Sequence, residues 1–201
     1  MSARSEVCKA RVEPTSNERE VVRVWDPVVR LFHWSVVAGC AINLIMEEGS
    51  QVHRSVGYFV AAAVAVRVVW GFVGTGHARF TSFIPTPAIL LGYLRALISR
   101  TEPRYIGHNP AGSIMIMALL GSLVVVSVTG WMMGLDRYFG NELLEELHET
   151  FAMTIAALAG MHVAAAIFES IRHRENLIKA MFTGKKRKPT GMDVDHATDS
   201  H

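Results

Sequence analysis

The sequence predicts an all-α integral membrane protein: a four-helix bundle with both termini cytoplasmic. Three observations carry this. Half of the 201 residues are hydrophobic, and the mean hydropathy is +0.26. The apolar residues are clustered, with no Asp, Glu, Lys or Arg in Ala111 to Leu135 or in Thr150 to Phe168. A helix needs about 20 such residues to cross the hydrocarbon core. Finally, Lys and Arg concentrate on alternate loops, as the positive-inside rule requires.

The elements follow in chain order. Residues 1–21 form a polar N-terminal segment without the apolar stretch of a cleavable signal. Span one is placed at about 31–50. Span two, at about 54–75, is long enough but carries Arg67. The loop 76–110 holds Thr86-Pro87, a helix start, and an amphipathic run predicting a surface helix at about 86–100. Gly107-His108-Asn109-Pro110 reads as a turn into span three, at about 111–134. Span four lies at about 149–170. The membrane domain covers 22–183, and 184–201 is expected to be a disordered basic and polar tail.

Basic residues set the orientation. Residues 1–30 hold six, the loop 76–110 holds four, and 171–201 holds seven. The other two loops hold only Arg54 and Arg137, beside Glu47, Glu48, Asp136, Glu142, Glu145 and Glu146. The basic tail is therefore read as an orientation signal, not a nucleic-acid surface. The expected location is the bacterial inner membrane, multi-pass.

Four histidines fall in or at the edges of the spans: His33, His53, His148 and His162. Ionisable groups at that depth are rare and usually functional. With the N terminus inside, His33 starts span one near the cytoplasm, whereas His53 and His148 lie near the outer face. His162 follows His148 by 14 residues, about 21 Å deeper on nearly the same helix face. The depths pair His33 with His162 and His53 with His148. Two centres with two axial imidazoles each point to bis-histidine haem. No C-x-x-C-H occurs, so attachment is non-covalent.

Arg67 lies 14 residues after His53, at the depth of the inner pair. A buried guanidinium needs an anionic partner: a haem propionate, an acidic side chain, or a backbone carbonyl cluster. His108, at the mouth of span three, is the rival to His33 as inner ligand, or a proton group. Cys8 and Cys40 are far apart in sequence and are not expected to pair. Gly130 and the other span glycines are explained by helix packing, and Met132 and Met133 by gap filling.

The residues then become recognisable. Val24-Trp25-Asp26-Pro27 with Arg30 and His33-Trp34 resembles the opening of the bacterial cytochrome b561 and nickel-hydrogenase b-type cytochrome family. His53 with Gly57-Tyr58, and Arg67 with Trp70-Gly71-Phe72, resemble its second segment. Ala78-Arg79-Phe80 and Gly107-His108-Asn109-Pro110 resemble its cytoplasmic loop. Thr129-Gly130-Trp131, His148-Glu149 and His162 resemble its third and fourth segments. The match covers about 22–187.

The resemblance implies a di-haem electron carrier with two b haems on the four matching histidines, and with Arg67 toward a propionate. Hydrogenase-linked members usually carry an extra span. The four-span form looks more like the free-standing cytochromes. The expected function is electron transfer between the quinone pool and a periplasmic partner such as a c-type cytochrome, with quinol oxidation or quinone reduction as the associated chemistry. The alternative is a membrane-anchor cytochrome b subunit of a peripheral dehydrogenase, reductase or hydrogenase.

Overall fold

The computed structural model describes residues 21–74, 78–191 and 193–194. The polar segment up to residue 20, with Cys8, and His77, His196 and His201 lie outside them.

Each long helix starts where its sequence supplies a cap. The Asp26 carboxylate accepts the Val28 and Val29 amides at 2.7 and 3.0 Å, and Pro27 opens α1, Pro27–Ile45. Ser50 caps α2, Gln51–Val73, by accepting from the His53 amide. Thr86 and Pro87 start α3, Pro87–Ile98. Asn109 and Pro110 start α4, Pro110–Met133, where the Asn109 side chain accepts the Gly112 amide at 2.7 Å. These are the side-chain acceptor and first-turn proline that favour helix entry. Asn141 caps α5, Glu142–Arg172, and Asn176 caps a short α6, Leu177–Thr183.

Among the described residues, α1, α2, α4 and α5 are long and apolar enough to cross a membrane. The chain is a helical, four-span membrane protein, as its sequence predicts. Side chains such as Leu44, Val69 and Phe72 point out of the bundle and are exposed, as lipid-facing residues are. Several boundaries move, and α1 ends at Ile45 and α2 begins at Gln51. α1 begins at Pro27, four residues early, because Asp26 can cap there. α5 begins at Glu142, because acidic residues in its first turn suit the positive end of the helix dipole.

α1 packs on α2, α2 on α4, and α4 on α5. Val60, Val64, Phe80, Phe83, Leu120 and Leu123 form the core between α2, α4 and the loop after α2. Gly71 allows a close approach there: a Cβ on it would lie 2.1 Å from the Phe80 ring. No residue of α5 is buried.

One end of the bundle is closed by a polar clasp. Here Val21–Arg23 (β1) pairs antiparallel with Lys185–Arg187 (β2), with Val22 opposite Lys186. Arg104 makes a bidentate contact with Glu175, with one pair at 2.9 Å, and meets Asp193 at 2.6 Å. The Glu102 carboxylate accepts from Arg172 at 2.7 Å. Lys186 is buried, with its Nζ 5.4 Å from the Trp25 ring centre. Burial pushes its ammonium down to about 8, against the attraction of Glu175. Burial also works on Asp193, but the Thr190 amide and Arg104 hold its carboxyl below the usual range.

Within the segment expected to be a disordered tail, β2 and the contacts of Asp193 and Val194 join the chain to the clasp, and residues 195–201 lie outside the described residues. The charges that made the segment look solvated have partners far away in sequence, which composition alone does not register.

Candidate functional site

The straight run of α5 places His148 and His162 on one face, each toward a different neighbour. The His162 ring centre lies 6.4 Å from that of His33 on α1. The His148 ring centre lies 6.3 Å from that of His53 on α2. The ring planes cross at 55° and 59°, so neither pair is stacked. The pairs sit toward opposite ends of the bundle: His33 and His162 toward the clasp, His53 and His148 toward the opposite end.

The separations suit one metal ion between each pair. Two imidazole nitrogens bonded from opposite sides at about 2 Å each put the ring centres about 6.3 Å apart. The Nδ1 atoms of His33 and His53 have no hydrogen-bond partner among the described residues. No three His, Cys, Asp or Glu side chains meet among those residues in a way that could hold a bare ion. Paired imidazoles without a third protein ligand instead fit a metal that brings its own further ligands, as haem iron does.

Arg67 is buried, at 4% exposure, on the clasp half of α2. Its guanidinium lies 5.0 Å from the centre of the Phe80 ring, and its Nη1 has no partner among the described residues. Two further donors at this end also lack a partner among the described residues: Arg30 Nε and Trp34 Nε1. Both residues adjoin Phe182, since Arg30 Nη2 donates to its carbonyl and Trp34 stacks on its ring. Each of these donors suits an anion, and a haem brings two carboxylates. Sequence reasoning found Arg67 but missed Arg30 and Trp34 as donors. Their presence in the opening motif was the available signal.

The His108 ring packs 4.6 Å from Trp25 and 4.9 Å from Phe83, in the seam between the clasp and the core, whereas the ring facing His33 is that of His162. The recurrent short motifs acquire physical roles. Asp26 both caps α1 and accepts from Trp70 Nε1 at 3.0 Å, tying the start of α1 to the end of α2. Thr129 contacts the His148 ring directly, and Gly130 leaves room for that ring where a Cβ would crowd it.

A four-span bundle whose histidines meet in two pairs, one toward each end, has the frame of a membrane-embedded b-type cytochrome. A family model described as prokaryotic cytochrome b561 matches residues 24–184, and the chain belongs to that family. The family implies b-type haem and electron transport. Similar proteins include the probable Ni/Fe-hydrogenase B-type cytochrome subunits of Rhizobium leguminosarum bv. viciae and Azotobacter vinelandii. The first is 24% identical over 84% of this chain and 90% of its own length. The second is 26% identical over 83% and 89%. No solved structure matches.

Proposed function

We propose that the chain is the membrane cytochrome b subunit of a peripheral redox enzyme, relaying that enzyme's electrons to or from the quinone pool. The observation that carries this is the pair of His–His separations, 6.4 and 6.3 Å, at two levels of one bundle. The hydrogenase-subunit names of the relatives support a subunit role over a free-standing one, although four candidate spans are found among the described residues. The sequence-based preference for a free-standing carrier therefore yields to its alternative.

Two b haems are held without covalent attachment, one by His33 and His162, the other by His53 and His148. Bound there, haem supplies one-electron chemistry. The chain supplies the axial lone pairs, a low-dielectric surround, and donors for the propionates. Arg67, Arg30 and Trp34 serve the pair at the clasp end. A haem held by two imidazoles would keep no ligand position for oxygen, so its chemistry there would be electron transfer.

By the charge rule the clasp is cytoplasmic and the opposite end periplasmic. At that outer end Glu47, Glu48, Asp136, Glu142, Glu145 and Glu146 face only Arg54 and Arg137, which suits a basic redox partner. The four-span length favours a second reading, in which a periplasmic c-type cytochrome is served without a permanent subunit. Gentle detergent purification from native membranes separates the two. Co-purification with a redox subunit, and no quinol turnover by the isolated chain, supports the first. Isolation alone with quinol turnover supports the second.

A further inference from the structure

The two histidines of the outer pair are held differently. His53 Nδ1 has no partner among the described residues, while His148 Nδ1 lies 3.1 Å from Thr129 Oγ1. Thr129 is buried on α4, and its hydroxyl also reaches the Val125 and Val126 carbonyls at 2.9 and 3.2 Å. Helical threonines commonly back-bond to a carbonyl of the preceding turn, and with the hydroxyl proton placed there its oxygen accepts from His148 Nδ1–H, which the Val126 carbonyl also faces. A neutral imidazole with its proton on Nδ1 presents a lone pair at Nε2. Gly130 completes the seat: a Cβ there would lie 3.0 Å from His148 Cε1 and 3.4 Å from Nδ1.

We infer that Thr129 is a positioning residue that fixes the tautomer of His148 and lowers the reduction potential of the outer haem. The inference rests on the proposed ligation by His53 and His148. An imidazole that donates its other N–H is a more basic ligand. A more basic ligand stabilises the more positive, oxidised iron, so the potential falls. Within the outer pair the hydrogen bond makes His148 the stronger donor.

The test is a spectroelectrochemical titration of the purified, haem-loaded protein with a haem:protein ratio, for wild type, Thr129→Val, Thr129→Ser and His148→Ala. Thr129→Val is expected to keep two haems and raise one midpoint while the other stays fixed. Thr129→Ser is expected to keep both wild-type midpoints. Two haems with both midpoints unchanged in Thr129→Val, or one midpoint lowered, would overturn the inference. If Thr129→Val loses a haem, Thr129→Ala replaces it. A raised midpoint in that variant, with Thr129→Ser at wild type, supports the hydrogen bond. Equal shifts in both reduce the effect to packing and overturn it. His148→Ala is expected to lose one haem. Retention of both would overturn the ligation reading itself, a failure distinct from an unchanged midpoint in Thr129→Val.

Discussion

The rings of His53 and His148 face each other at 6.3 Å from α2 and α5, almost the separation at which His33 and His162 face each other from α1 and α5. One helix thus contributes to both pairs. Its spacing of 14 residues sets how far apart the two levels lie, about 21 Å along α5. Any disturbance of α5 therefore acts on both sites, while a change in α1 or α2 acts mainly on one.

Arg67 is a buried guanidinium whose Nη1 lacks a protein partner among the described residues. If it serves a propionate, its importance depends on the haem. Arg67→Leu is expected to weaken binding at the inner site by about 10- to 100-fold, the usual effect of losing an outer-shell partner. The same substitution should leave the haem-free chain as stable or more so, because it removes a buried charge. Haem titration and thermal melts of both forms check this. Equal destabilisation of the two forms would give Arg67 a purely structural role.

Arg104 joins three parts of the clasp through Glu175, Asp193 and the Arg187 carbonyl. Arg104→Met removes the guanidinium shared by two half-buried carboxylates, which loosens the clasp. The expected result is protease cleavage between residues 184 and 194 at concentrations that leave the wild type intact. The haem spectrum should not change, since the paired histidines lie outside the clasp.

Lys186 gives the clasp a pH dependence of unusual sign. Its folded value of about 8 lies below the ordinary 10.5. Below pH 8 it is charged in both states, so the cost of burying the charge is fully present. Between pH 8 and 10.5 the unfolded chain holds the proton and the folded chain does not, so stability rises with pH. The rise is about 3 kcal/mol at most. Thermal denaturation between pH 7 and 10 should show it, and Lys186→Met should abolish it while being more stable at pH 7.

Much of this arrangement was legible in the sequence, because a membrane makes the signals strong. Apolar runs locate spans, and histidines in such runs need a reason to be there. The 14-residue step from His148 to His162 already implied one face at two depths, and α5 is unbroken between them. The sequence was less informative where partners are distant. Nothing local says that Lys186 will lie on Trp25, or that Glu175 will meet Arg104. Charges were counted as solvated, so the clasp and α6 were missed. Thr129 was visible only as part of a short motif, since its contact with His148 depends on how α4 packs on α5.

The pairing is tested most directly by haem stoichiometry and reduced-minus-oxidised spectra of the purified protein and its single His→Ala variants. Two haems are expected in wild type and in His108→Ala. His33→Ala and His162→Ala should lose the same spectral component, and His53→Ala and His148→Ala the other. Loss of a haem in His108→Ala with both retained in His33→Ala would contradict the account.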